Sequence, residues 1–279
     1  MSGTNRGQDV AGLLARHLDP ARVTYEVQHT EYAGHAVQLA REAAQAGCRV
    51  VVAVGGDGTV NEVGRGLLGT TAAMGILPRG SGNGLARHLG VPLGLGAAIQ
   101  RFNHPDFQKI DVGSINGHQF FCTAGLGFDA HVSKCFAVAG TRGLATYVKV
   151  ALREYRRYQP TPVQVHLADK VLQTDCYVLA FANAAQYGNN AYIAPNANIQ
   201  DGLLDLCLID ALPIWRAVRV GVGLALGSLP TSGAAVYHTA QQVQVEAAQP
   251  LGFHVDGDYK GDATSFEVIL TPLALEVAV

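Results

Sequence analysis

Val50-Val51-Val52-Ala53-Val54-Gly55-Gly56-Asp57-Gly58-Thr59-Val60-Asn61-Glu62 decides the fold of the first part of this chain. Its apolar opening reads as a buried strand, because a parallel strand covered on both faces loses the apolar/polar alternation. Glycine at positions 55, 56 and 58 lets the backbone turn sharply and come close to a ligand. Thr59 and Glu62 have the spacing of a capping box on the helix that follows. A strand, a glycine turn and a helix N-terminus together present backbone N–H groups and the positive end of a helix dipole, the ingredients of a phosphate site. Asp57 is a carboxylate and does not attract phosphate by itself. It makes sense there if Mg²⁺ lies between it and the phosphates, or if it positions a reacting hydroxyl. An ordinary strand-to-helix turn is the competing reading.

Working outward, the first ~110 residues alternate helix and strand, which implies a parallel sheet with helices on its faces and ligands at the carboxyl ends of the strands. Helices are expected at Asp9–Leu18, His35–Gln45 and Thr59–Leu68, and strands at Val23–Gln28, Val50–Val54 and Met74–Leu77. A second glycine loop, Arg79-Gly80-Ser81-Gly82-Asn83-Gly84, opens a helix over Leu85–Leu89 and belongs on the same rim as the first. After Lys109 short alternating strands separated by turn residues dominate, as in an antiparallel sandwich. They include Gln119–Ala124, Tyr177–Ala182, Leu204–Ile209, Val243–Glu246 and Gly252–Val255, with helices at Thr141–Tyr158 and Pro213–Leu226. The fold class is therefore α/β plus β. A nucleotide-binding, doubly wound parallel-sheet domain over residues 1–111 is followed by an antiparallel β-sandwich domain over 112–279. The C-terminal tail is able to pack back on the first domain, and a cleft is expected between the two parts.

Bulk composition excludes several classes. The chain has 279 residues, is 48% hydrophobic and only 15% charged, and so buries a real core. Its formal net charge of −2 gives no field to recruit nucleic acid, so an anionic partner must be met by a local patch. Five cysteines without a CxxC pair fit a reducing cytoplasm rather than disulfides or zinc, and the ten histidines show no metal-ligand spacing. No signal segment opens the chain, and the apolar stretch Leu212–Leu229 is interrupted by Arg216 and Arg219, so it is not a membrane span. P-loop spacing is absent, and the second glycine loop reads GxGxG rather than the dinucleotide GxGxxG.

The GGDGTVNEV run beginning at Gly55 and the LPRGSGNGLARHLG run beginning at Leu77 resemble the diacylglycerol kinase catalytic-domain family, which includes bacterial lipid kinases, sphingosine kinases and ceramide kinases. The turn Asp201-Gly202-Leu203-Leu204-Asp205 and the late Asp256-Gly257-Asp258 follow in the family's order, so the resemblance covers essentially the whole chain. It implies an ATP-dependent lipid kinase that moves the γ-phosphoryl group to the hydroxyl of diacylglycerol, a sphingoid base or a related lipid, with ATP and Mg²⁺. Gly55, Gly56, Asp57, Gly58, Thr59 and Asn61 would wrap the nucleotide phosphates, with Asp57 essential. Thr30, Gly80, Ser81 and Asn83 match further nucleotide-contacting positions. Thr30 reads equally well as a helix cap, Arg79 as a solvated cation and Asn83 as a cap. Asp201, with the backbone carbonyls of Leu204 and Leu206, matches a structural Mg²⁺ site; the bare Asp-Gly pair reads as a hairpin turn.

Two departures from the family pattern stand out. The late motif ends in Asp258 where many members have glutamate as the general base, roughly 1.5 Å shorter in reach. Either a small backbone shift lets Asp258 serve as the base, or Asp256 is the base, or the activity is weak. The family's entry strand ahead of Ser2-Gly3 is missing, which reads as a shortened start, with Arg6 placed near the phosphates.

The helix over Thr141–Tyr158 carries a basic stripe of Arg142, Lys149, Arg153 and Arg156 beside an apolar stripe of Leu144, Val148, Leu152 and Tyr155. Such a helix rests on anionic headgroups or is a solvated face over a packed one. The expected partners are thus a lipid substrate at a membrane surface and no nucleic acid. The expected setting is the cytoplasm, with peripheral contact at the inner membrane face, and a homodimer is compatible with the sequence. Two rivals share part of this pattern: an NAD kinase-like enzyme and a catalytically silent lipid- or nucleotide-binding protein.

Overall fold

The computed structural model describes residues 9–140, 143–210, 214–229 and 233–279. The Ser2-Gly3 turn, Arg6, Arg142 and Pro213 lie outside the described residues, as do the side chains of Leu144, Arg216 and Arg219. The chain divides into two units, one of Met1–Ile110 with Leu273–Val279 and one of Asp111–Pro272.

In the first unit the elements run α1 (Val10–His17), α2 (His35–Gln45), β1 (Val50–Gly55), α3 (Asp57–Leu67), β2 (Ala73–Pro78), α4 (Gly84–His88) and α5 (Leu95–Arg101). β1 and β2 are parallel in the register Val50↔Ala73 to Gly55↔Pro78. β2 also takes the chain's last strand residues in parallel, Val277↔Met74 and Ala278↔Gly75. β2, paired on both edges, is buried along its whole length, as a parallel strand covered on both faces must be. β1 departs from the sequence reading: Ala53 alone is buried and Val54 is 38% exposed, because this strand pairs only with β2 among the described residues.

Val23–Gln28 is not a strand. Its apolar/polar alternation stands without a ladder partner among the described residues, and Tyr25 and Val27 are exposed. Nor does the sequence announce α5. The capping box fails for a related reason. α3 begins at Asp57, two residues before Thr59, so Glu62 lies in its second turn. The Glu62 carboxylate instead accepts from the Gly34 and Ala36 N–H groups at 2.9 and 3.2 Å, capping α2. Beyond this cap the two helices press close: a Cβ on Gly66 would stand 2.5 Å from the Val37 carbonyl oxygen.

The second unit holds β3 (Phe107–Ile115, from its fifth residue), β4 (His118–Phe120), β5 (Thr123–Gly127), α6 (Phe128–Ala137), α7 (Leu144–Glu154), β6 (Thr161–His166), β7 (Val171–Cys176) and β8 (Val178–Ala182). β9 (Leu204–Ile209), α8 (Ile214–Leu226), β10 (Val236–Ala240), β11 (Gln242–Val255) and the larger part of β12 (Asp258–Ala278) complete it. β10, β9, β8, β5 and β11 lie side by side, all antiparallel. The two strands expected at Val243–Glu246 and Gly252–Val255 are one strand, broken in register between Glu246 and Leu251. Its first half pairs with β6 and its second with β5, so one bent strand feeds both layers of the sandwich. Phe120, Phe181, Phe266, Leu126 and Leu206 fill the space between them. β4 and β5 replace the single expected strand at Gln119–Ala124, and α6, β7 and β10 were not anticipated.

Glu62→Ala removes the acceptor from the α2 N-terminus and is expected to lower the unfolding free energy by about 1 kcal/mol. Urea denaturation measures this directly, and an unchanged midpoint would refute the cap.

Candidate active site

The two glycine loops meet in the first unit. β1 and β2 end side by side, and the Arg79 N–H donates to the Gly55 carbonyl at 2.8 Å, extending the ladder into the turn. Gly56 and Gly80 then face each other so closely that a Cβ on Gly80 would lie 2.5 Å from the Gly56 Cα. A Cβ on Gly55 would strike the Thr59 side chain, with Oγ1 at 2.5 Å. These glycines are therefore demanded by loop-on-loop packing before any ligand arrives.

Asp57 joins the loops. Its carboxylate accepts from the Asn83 N–H at 3.0 Å and from the Gly84 N–H at 2.7 Å, satisfying the start of α4. Asn83 itself sits in the left-handed region at φ 51°. Its amide closes back on Gly80, accepting from the N–H and donating to the carbonyl, both at 2.9 Å. Asn83 therefore shapes the loop with its side chain and does not cap α4 with it. α3 begins behind Gly56, whose lack of a side chain leaves the cap position without an acceptor. The dipole of an eleven-residue helix thus ends at the glycine turn. Gly58, Thr59 and the buried Asn61 lie on that helix, while Ser81 lies within the second loop. Thr30 sits apart from any strand, exposed in irregular backbone.

In the second unit Asp256 and Gly257 form a two-residue hairpin between β11 and β12, both at positive φ (47° and 84°). The Asp256 carboxylate accepts from the N–H groups of Phe121, Cys122 and Thr123 at 3.1, 2.9 and 3.1 Å. That clamp divides β4 from β5. Asp258 opens β12 with its side chain 67% exposed and Lys260 Nζ 4.0 Å away. Behind the turn lies a buried network that sequence reasoning missed. The Gly257 N–H donates to His254 Nδ1, so Nε2 carries the ring proton and donates to Asp129 at 3.1 Å. Tyr187 Oη donates to the same Asp129 oxygen at 3.1 Å.

The Asp201-Gly202 turn is held from two sides. Asp201 accepts from the Leu203 N–H at 3.0 Å, and the Gly202 N–H donates to the fully buried Asp111 at 2.8 Å. Leu204 and Leu206 lie in β9 between β8 and β10, with buried side chains. Asp205 between them is pushed up to about 6 by burial, with the Asp201 charge adding to the shift. A carboxyl that binds its proton more tightly folded than unfolded stabilises the fold at low pH. That contribution is lost as pH rises through about 6. In the presence of a chelator, Asp205→Asn is expected to raise the melting temperature above neutrality and to leave it unchanged near pH 4. Equal shifts at both pH values would contradict this origin.

Residues 1–115 match the family described as the diacylglycerol kinase catalytic domain, and residues 122–279 match the YegS C-terminal NAD kinase beta sandwich-like domain. A Chromohalobacter salexigens protein named "Probable lipid kinase YegS-like" is 33% identical over 251 residues, 88% of this chain and 78% of its own. A diacylglycerol kinase of Bacillus subtilis is 30% identical over 83% of this chain and 78% of its own. The crystal structure of a diacylglycerol kinase from Bacillus anthracis superposes with a TM-score of 0.75 at 20% identity, covering 99% of this chain and 93% of that one. The chain belongs to the diacylglycerol kinase catalytic-domain family, with the YegS-type sandwich as its second part.

Proposed function

We propose that the protein transfers the γ-phosphoryl group of ATP to the hydroxyl of a lipid. The observation that carries this reading is the Asp57 clamp. It fixes two glycine loops against each other at the N-terminus of α3, where backbone N–H groups and the helix dipole favour phosphate. Gly55, Gly56, Gly58, Thr59, Asn61, Gly80 and Ser81 form the nucleotide cradle, and Asn83 holds its shape through Gly80. Thr30 belongs to the same set only by resemblance.

A hard carboxylate beside phosphate-binding backbone suits Mg²⁺, so the donor set fits the metal, with Asp57 as its holder. Mg²⁺ supplies neutralisation of the charge that develops on the transferring phosphoryl group. Asp201, with the carbonyls of Leu204 and Leu206, is the candidate holder of a second, structural Mg²⁺. Asp205 beside it, pushed up to about 6 by burial and by the Asp201 charge, fits a place where negative charge is crowded and a cation is welcome.

Of the two carboxylates in the late motif, Asp258 is assigned as the general base. Asp256 spends its oxygens on three backbone N–H groups and holds the turn, while Asp258 is exposed and accepts a proton from the lipid hydroxyl. Diacylglycerol, a sphingoid base and related lipids all offer that hydroxyl.

α7 is the proposed contact with anionic lipid. Val148 and Leu152 are 46% and 65% exposed, beside exposed Lys149, Arg153, Arg156 and Arg157. Of the two readings that the sequence leaves open, an outward apolar face of this kind suits headgroups. No helix among the described residues is long and apolar enough to cross a membrane.

The test is transfer of ³²P from γ-labelled Mg·ATP into the organic phase of a mixed-micelle assay with extracted lipids. Counts in the lipid phase are expected from the wild type. They are expected to vanish in Asp57→Asn and to fall at least about 10²-fold in Asp258→Asn, the lower range for loss of a general base. Counts that appear only in water and only with added NAD would establish the NAD kinase reading. ATP binding without transfer to either acceptor would establish a silent binding protein.

A further inference from the structure

His131 and Cys135 lie four residues apart on α6, on one face of the helix, and Glu154 ends α7 opposite them. His131 Nε2 is 3.2 Å from Glu154 Oε2 and 3.7 Å from Cys135 Sγ. The three donor atoms all lie within 4.8 Å of one another. Around a tetrahedral Zn²⁺ with ordinary bond lengths, the nitrogen–oxygen and nitrogen–sulfur edges are about 3.4 and about 3.6 Å. Two of the three edges are thus already near the length that a bound ion would impose.

The carboxylate is held in place by its surroundings. The Glu154 side chain is only 10% exposed, and Arg153 Nε donates to its other oxygen, Oε1, at 2.7 Å, which turns Oε2 toward His131. The His131 side chain is one-third exposed, so a fourth position opens toward solvent. A helix cysteine beside a simple His–Glu hydrogen bond is the competing account, and it gives sulfur no role as a ligand.

We propose that His131, Cys135 and Glu154 bind a thiophilic divalent cation of the Zn²⁺ class, tying α6 to α7. Sulfur and imidazole donors select such an ion over Mg²⁺, so this site is separate in its chemistry from the Mg²⁺ of phosphoryl transfer. On binding, the Cys135 S–H proton leaves to solvent as the sulfur–metal bond forms. His131 gives up its Nε2 proton to solvent and carries the ring proton on Nδ1, so the hydrogen bond to Glu154 gives way to one bond from Nε2 and one from Oε2 to the ion, and nothing is oxidised or reduced.

Titration of the full chain with Co²⁺, in a Cys48→Ser background that removes the exposed cysteine, tests the site. One equivalent is expected to produce a thiolate-to-cobalt charge-transfer band and intense four-coordinate d–d bands, both bleached by Zn²⁺ and untouched by excess Mg²⁺. The charge-transfer band is expected to disappear in Cys135→Ser, and affinity to fall at least about tenfold in Glu154→Gln. No such band in the parent, or an undiminished band in Cys135→Ser, would overturn the proposal. Zn²⁺ protection of Cys135 against alkylation, read by peptide mass spectrometry on the parent, gives an answer independent of whether the variants fold. Equal alkylation with and without Zn²⁺ would also overturn it.

Discussion

The Asp57 carboxylate is the constraint on which the candidate site depends. It reaches across 26 and 27 residues of sequence to the N–H groups of Asn83 and Gly84, and these are charge-assisted bonds to the start of a helix. Because Gly56 and Gly80 are in contact, the two loops have little freedom to slide past each other. GGDGT and GSGN are consequently one object rather than two motifs. The aspartate of the first completes the helix start of the second, and the glycines of each leave room for the other. This also explains why GGDGT alone is less informative than the pair: the turn it describes is complete only when the second loop docks on it.

The second unit repeats the same device. Asp256 holds the N–H groups of residues 121–123, and Asp111 holds the Gly202 N–H, in each case a carboxylate closing a remote loop. A buried loop has backbone donors to satisfy, and an ionised carboxylate satisfies two or three at once. This sorts these aspartates by availability. Asp256 and Asp111 are spent on architecture. Asp258 is exposed, and Asp205 is raised by its partial burial, with the adjacent Asp201 charge adding to the shift. The commitments of Asp57 to the second loop make it the architectural centre of the candidate site in the first unit.

What was legible in the sequence was local. The α/β-then-β order, β1 to α3, α2, β9 and the Asp-Gly turns follow from apolar runs, glycines and two-residue turn chemistry within about a dozen residues. What was missed depends on partners far along the chain. Val23–Gln28 alternates like a strand but finds no neighbour to pair with. Glu62 was read as serving its own helix and serves α2 instead, because α3 starts earlier than Thr59. α6 follows directly on the wholly buried β5, with no polar residue between them to mark a boundary. Asp111, between Ile110 and Val112, offered one hint: a lone carboxylate inside an apolar run is expected to be buried and bonded.

The proposed cation site shows the same limit of local reading. His131 and Cys135 supply two donors one helical turn apart, but the third comes from the end of the next helix, and no short motif spans that distance. α7 turns Val148 and Leu152 outward among basic side chains, an arrangement that water alone does not favour. On a chain of net charge −2, attraction to an anionic surface must come from such a patch and not from the whole molecule. A helix that presents apolar and basic groups to lipid needs a fixed orientation. Glu154, held by Arg153 on one oxygen and facing α6 with the other, fixes the C-terminal end of α7 against α6, as the proposed lipid contact would require.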